Sequence, residues 1–323
     1  MFRESLNHLS LTFRLIPKGP VLIKSGREAG ADPTLVDMNF VRTHRYGFDA
    51  PTVFIPGSSL KGVLRSYAER VLRTTLGEGT GPKHCCNPFD ERSFCGKRLE
   101  KDEDTAARYR ESCPACRIFG NTVVGGRLSA ADAYPPAEVI GTTNATEQRD
   151  GVAIDRIKGG ALDGGLFTLE VVTRGAFEST LQLENFELWQ VGLLAIALRD
   201  LGTGVCPIGF GKTRGLGQME VTLETLDVRY PCRFEVRENG RDYGKYLYPV
   251  SVFHPEWCEN AAYGLSQEAG ISLEACEPKL LDQGTLGQVA FRISGDPHIR
   301  SAFEKAAEAW KGFVLAQKEG SVS

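Results

Sequence analysis

Five of the nine cysteines in this 323-residue chain fall in one stretch, from Cys85 to Cys116. A segment so rich in thiols points to a metal ion, a disulfide framework or a set of buried free thiols. Disulfides belong to oxidising compartments. The opening MFRESLNHLSLTFRLIP alternates like a strand and lacks the apolar core of a secretion signal. The expectation is therefore a cytoplasmic protein with a metal site. Cys113-Pro-Ala-Cys116 is a C-x-x-C knuckle, and 17 residues (96–112) separate it from Cys95. Zinc takes four tetrahedral ligands, and all-thiolate sets are structural. The expected set is Cys95, Cys113 and Cys116 with Cys85 or Cys86, and His84 is an outside candidate. Residues 78–120 thus read as a zinc-binding insertion. A redox role for the knuckle is disfavoured, because no thioredoxin-like βαβ pattern surrounds it.

Outside that insertion the chain is ordinary globular material, 41% hydrophobic and 24% charged. No apolar run approaches the roughly 18 residues of a membrane span, so no membrane partner is expected. The formal net charge is −3, so any polyanion must be held by a local groove. HLSLTFRLI (8–16) alternates as a first strand. Pro17 to Pro56 reads as loops. Ser58 and Ser59 are expected to cap a helix whose Leu60, Val63, Leu64, Tyr67, Val71 and Leu72 share one face, with Gly77 as its stop. Strands are expected at 127–131, 166–174 and 218–228, and a buried helix from Phe186 to Leu201. The order β–α–β–β–α–β with long insertions predicts an α+β, ferredoxin-like (RRM-like) core over residues 1–228. Residues 229–323 read as a C-terminal extension packed on that core. It would add strands and a last amphipathic helix opened by the capping box Ser301 to Glu304.

IGFGKTRGLGQMEV (208–221) looks at first like a nucleotide loop. A Walker A loop needs G-x-x-x-x-G-K-[ST] between a strand and a helix. Here Cys206 stands where the first glycine belongs, and an alternating strand pattern follows. What remains is a helix-to-strand turn with Gly209, Gly211, Gly215 and Gly217, two cations, Lys212 and Arg214, and no acid. Such a turn suits a sugar-phosphate chain as well as it suits a merely tight connection.

Four segments in order, FIPGSSLKGVLRSYAERVLR (54–73), CPACRIFGN (113–121), RLSAADAYP (127–135) and the glycine turn, resemble the RAMP superfamily of CRISPR effector proteins. The nearest likeness is to the repeated backbone subunits of type III complexes, and it covers about residues 5–228. The resemblance implies an RRM-like core with a protruding thumb hairpin, stacked in copies along a CRISPR RNA. The thumb kinks the guide–target duplex, and an aspartate promotes cleavage of target RNA beside each kink. Implied partners are CRISPR RNA, target RNA and other effector subunits, including copies of itself or related RAMP proteins. Carried over, the guide-binding elements are Ser58, Ser59, Lys61, Gly209, Gly211, Lys212, Arg214 and Gly215. Arg65 lies four residues beyond Lys61 on the same helix face, so the two make a candidate phosphate-contacting pair. The helix and the glycine turn, with Lys61 and Lys212, are expected to lie side by side as one trough. The thumb is placed at 141–165. Its charges are mixed, Arg149, Arg156 and Lys158 against Glu147, Asp150, Asp155 and Asp163. That favours wedging by shape, with Val152 and Ile154 as apolar tips.

The resemblance places the catalytic acid in GADPTLVDMNFVR, where Asp37 fits better than the alternative Asp32. One carboxylate is enough if the RNA 2′-hydroxyl attacks its own phosphate. The acid can orient that hydroxyl, accept its proton, or hold Mg2+ or another divalent ion. A non-catalytic scaffold, with the acid inert, is the alternative.

Overall fold

The alternation of the first strand has a direct structural outcome. In β1 (His8–Pro17) Leu9, Leu11, Phe13 and Leu15 are completely buried, while Ser10, Thr12 and Arg14 line a partly exposed face. The computed structural model describes residues 3–26, 37–259 and 262–319. In chain order β1 is followed by α1 (Gly57–Leu76), β2 (Leu128–Ala130), β3 (Glu147–Ile154), β4 (Ala161–Val171), β5 (Phe177–Glu184), α2 (Leu188–Gly202), β6 (Met219–Pro231), β7 (Lys279–Gln283), β8 (Gln288–Ser294) and α3 (Asp296–Glu319). The fold is a mixed α+β one. Its central sheet has six strands in the order β7-β8-β6-β1-β5-β2, all pairings antiparallel.

α1 does not start as expected. Pro56 is its cap residue, and no hydroxyl of the helix start caps it. The backbone N–H of Gly57 instead donates to Asp132 Oδ1 at 2.7 Å. A Cβ at Gly57 would lie 2.1 Å from the Ala130 carbonyl, so the helix start is pressed against β2. Ser58 is left exposed. The remote aspartate does the work that a serine hydroxyl does elsewhere. Gly77 ends the helix as expected.

The Ser301 box also lies inside a helix rather than at its start, because α3 already begins at Asp296. The Asp296 carboxylate accepts the Leu223 backbone N–H of β6 at 2.9 Å, a tertiary anchor that fixes the helix start. α3 lies on α2 at very close range. A Cβ at Gly192 would stand 2.3 Å from the Ala306 carbonyl, and the Trp189 ring stacks on Phe313 at 4.3 Å. β8 pairs with β6, so residues beyond 229 extend the sheet as well as cover it.

β3 and β4 form a separate two-stranded hairpin, paired from Glu147↔Val171 to Ile154↔Ala161 with a register shift between Val152 and Ile154. The hairpin therefore runs from 147 to 171, not 141 to 165, and its second strand starts at Ala161 rather than 166. Residues Ile140–Asn144 are helical instead. The outer half of the hairpin is exposed on both faces, so it carries none of the apolar alternation that betrays a strand in sequence.

Candidate nucleic-acid interface and metal centre

The glycine turn is built for close approach. Lys212–Arg214 make one short 3-10 turn flanked by Gly211 and Gly215, both left-handed. At Gly209 a Cβ would sit 2.3 Å from the Leu22 carbonyl, and at Gly217 one would sit 2.0 Å from the Ile208 carbonyl. Backbone bonds from Phe210 N–H to Leu22 O (2.8 Å) and from Gly217 N–H to Pro20 O (2.9 Å) seat the turn on the segment after β1. Lys212, Thr213 and Arg214 are left exposed. The Arg214 guanidinium lies 4.9 Å from the Phe210 ring and 6.0 Å from that of Phe167 on β4.

The turn does lie beside α1, but not through Lys61. A cavity of about 250 Å³ separates the two, lined by Ser66, Tyr67, Arg70, Cys206, Lys212 and Thr213 among others. Arg70 stacks over Tyr67 at 5.0 Å, and no described acid pairs with Arg70 or Lys212. The nearby Asp200 is neutralised locally. Arg199 donates to it at 2.8 and 3.1 Å, and Tyr67 bonds to it as well. Burial, and then that bond, push the Tyr67 hydroxyl up to about 12, so it stays a donor. The cavity is thus cationic and rich in hydroxyls. Sequence reading missed Arg70. Its signal was the exposed row Ser58, Gly62, Ser66 and Arg70, spaced four apart on one helix face.

Lys61 and Arg65 occupy the opposite flank of α1 from Arg70, so it is Arg70 and not Lys61 that shares a cavity with Lys212. A Cβ at Gly126 would meet the Lys61 ammonium at 3.1 Å. Burial, and then the adjacent Arg65, hold Lys61 below its ordinary value. Each nitrogen of the Arg65 guanidinium has a protein partner: Nε donates to Glu69 at 2.9 Å, Nη1 to the Gly120 carbonyl at 3.0 Å and Nη2 to Cys116 Sγ at 3.7 Å.

Asp37 sits at the base of the hairpin. Its Oδ2 accepts the Thr168 N–H at 2.8 Å and the Thr168 hydroxyl at 3.3 Å, while the Asp37 N–H donates back to Thr168 Oγ1 at 3.1 Å. Met38 N–H to Thr168 O (3.2 Å) and Glu170 N–H to Met38 O (3.0 Å) continue this seam. Glu170 then accepts from Phe40 N–H and Arg42, both at 2.8 Å. Residues 37–42 are therefore zipped to β4, next to Phe167, which Arg214 approaches from the glycine turn. Asp32 lies outside the described residues. Val152, Ile154, Arg156 and Lys158 are all exposed on the hairpin, but Ile157 at its tip (96% exposed) and Leu166 (76%) are the barest apolar groups there. Sequence reading passed over both.

The cysteine insertion converges as a metal centre should. Cys86, Cys95, Cys113 and Cys116 are buried, and their sulfurs all lie within 4.8 Å of one another. Cys113 Sγ is 3.6 Å and Cys116 Sγ 3.8 Å from Cys86 Sγ. A tetrahedral zinc with Zn–S of about 2.3 Å requires S···S of about 3.8 Å. The four cysteines can thus bind a metal such as zinc, with Cys86 rather than Cys85 as the fourth ligand. Cys85 is also buried, but its backbone is tied back to Gly77 and Gly79. His84 turns to the Thr80 carbonyl instead. Hydrogen bonds from its neighbours, Cys116 first, hold the Cys113 thiol well below its ordinary value.

No helix among the described residues is long and apolar enough to cross a membrane. Comparison with curated proteins gives no match. The family model of the RAMP superfamily, whose members act with RNA and other subunits in CRISPR complexes, matches residues 18–220. That span takes in α1, the cysteine centre, the hairpin and the glycine turn, and the chain belongs to the RAMP superfamily.

Proposed function

We propose that this protein is a backbone subunit of a type III CRISPR ribonucleoprotein, which binds CRISPR RNA and cleaves the paired target RNA beside its hairpin. The core β1–α1–β2–β5–α2–β6 reads as a ferredoxin-like arrangement, a reading supported by the sheet order β6-β1-β5-β2. Residues 1–228 are the RNA-handling part and 229–323 its extension. The guide backbone follows the glycine turn, with Lys212 and Arg70 neutralising phosphates and the Gly209–Gly215 segment allowing close approach. Ser58 and Ser59 lie exposed or half-exposed at the start of the same helix. The 147–171 hairpin is the thumb, with Val152, Ile154 and Ile157 as wedge and Arg156 and Lys158 as phosphate contacts. The four-cysteine centre holds a structural zinc.

The observation that carries the catalytic part is the seam between Asp37 and Thr168. It puts one carboxylate at the foot of the element that splays the duplex. The RNA 2′-oxygen forms a bond to the adjacent phosphorus, the P–O5′ bond breaks, and the 5′-oxygen leaves with a proton. Asp37 Oδ1 is without a described partner and can orient the hydroxyl or take its proton. A divalent ion such as Mg2+ would be held by that carboxylate together with RNA phosphate oxygens, and would supply charge for the leaving oxygen.

A scaffold role without cleavage is favoured by one fact: Asp37 already has a structural task in seating its loop on β4. The assembled complex separates the readings. Loss of target cleavage in magnesium for Asp37→Ala, with guide RNA retained, supports the nuclease. Cleavage unchanged in that variant removes Asp37, and no cleavage by the unaltered complex leaves the scaffold.

A further inference from the structure

We propose that Arg65 is the outer-sphere partner of the metal centre, the group that donates to the Cys116 thiolate and offsets the centre's charge. This inference rests on the reading of the four cysteines as a metal site. Four thiolates around a divalent ion carry a net charge of about −2, which is costly to bury unless hydrogen-bonded and compensated.

The donors can be followed sulfur by sulfur. Cys95 Sγ accepts the Cys113 backbone N–H at 3.2 Å, and Cys113 Sγ accepts the Cys116 backbone N–H at 3.5 Å. Cys116 Sγ accepts from no described backbone group, and its described N–H donor is Arg65 Nη2 at 3.7 Å. The guanidinium is held there at both ends. Nη1 binds the Gly120 carbonyl that closes the knuckle helix Pro114–Phe119, and Nε binds Glu69.

The facing charges on α1 complete the arrangement. Glu69 also receives Arg73 Nη2 at 3.1 Å, and Arg73 Nη2 donates to the Cys86 carbonyl at 3.2 Å. Arg65, Glu69 and Arg73, each four residues from the next, form a ladder along the insertion. Arg73 Nε also lies 3.9 Å from Glu78, so Arg65, which touches Cys116, is the cation that faces the thiolates directly. Arg65 is a positioning residue for the ligands, not a ligand. The ladder also fastens the metal-bearing insertion to the helix whose other flank presents Arg70 to the glycine turn.

The test uses the full chain loaded with zinc, and separately with cobalt(II), whose thiolate charge-transfer bands report on the sulfurs. Arg65→Met should release metal to a chromophoric chelator faster, through a roughly 10- to 100-fold loss of affinity. Its charge-transfer band should move to lower energy as Cys116 loses its hydrogen bond. Arg65→Lys keeps the charge but cannot span Gly120 and Cys116, so it should fall between Arg65→Met and the unaltered chain. It also serves if the methionine variant fails to fold. Arg70→Gln, on the far flank, should release metal at the original rate. Unaltered release and an unshifted band in both Arg65 variants would overturn the inference while leaving the metal site intact. A chain that binds no metal even on reconstitution would overturn the metal reading itself.

Discussion

The Thr168 backbone N–H lies 2.8 Å from Asp37 Oδ2, and the loop that follows the first strand is thereby bonded to the hairpin it precedes by more than a hundred residues. The bond needs an oxygen acceptor but not a base. Asp37→Asn therefore keeps the loop seated yet removes the proton acceptor. Target cleavage should fall by about 10²- to 10⁴-fold, with guide binding and thermal stability unchanged. Thr168→Val deletes both hydroxyl contacts, the bond to Asp37 Oδ2 at 3.3 Å and the one accepted from the Asp37 N–H at 3.1 Å, but keeps the backbone bond and should cleave nearly as well as the unaltered chain. Single-turnover cleavage of labelled target RNA measures both.

Cys85 and Cys86 are adjacent and both buried, but only Cys86 belongs to the four-sulfur set. Elemental analysis should find one zinc per chain in Cys85→Ser and none in Cys86→Ser. Thiol titration of the native, metal-loaded protein should leave those four cysteines protected, and a strong chelator should release them.

Arg70 and Lys212 line one cavity without acidic partners. If each meets a phosphate, Arg70→Gln or Lys212→Gln should weaken single-stranded RNA binding without regard to sequence. Each should also lower the slope of log K against log salt by about 0.7. Arg65→Gln, whose guanidinium is taken up by protein, should leave the slope unchanged. Filter binding across a salt series distinguishes them.

Ala is a better helix former than Gly by about 1 kcal/mol, so Gly192→Ala in a free helix would stabilise. Here the added methyl would enter the α2–α3 contact 2.3 Å from the Ala306 carbonyl. Overpacking against backbone should win, at a net cost of about 1–3 kcal/mol. Phe313→Ala, which removes the ring stacked on Trp189, should cost about 3–5 kcal/mol. Denaturant melts report both.

Glu170 anchors residues 40–42 to β4. Burial acts to raise its carboxyl, but the bonds from Arg42, Thr146 and the Phe40 N–H outweigh burial and hold it below the ordinary 4.5. A depressed folded value means this stabilisation is complete above pH 4.5 and is lost as pH falls through the lower folded value. The melting temperature should therefore drop in that acid range. Glu170→Gln should be less stable at neutral pH and show a shallower acid drop.

What the sequence made legible is what burial writes into it. Leu9 to Leu15 alternate because one face of β1 is dry, and Leu60, Leu64 and Leu72 recur because one face of α1 is. Cysteine spacing located the four-sulfur segment, yet it could not choose between neighbours, since only the folded chain brings the Cys86 sulfur and not that of Cys85 into the set. Arg65 was legible as a cation on the Lys61 face. Its partner Cys116 is about fifty residues away in sequence, and no local pattern records that approach. The hairpin's outer strands are wet on both sides, so only the likeness to other RAMP proteins pointed to them.

Gly192 lets α3 rest almost backbone to backbone on α2, and β8 completes the hydrogen bonding of β6. Truncating the protein after β6 would therefore strip the cover from Trp189 and leave a bare sheet margin. The shortened polypeptide should self-associate through that uncovered helix face and strand edge.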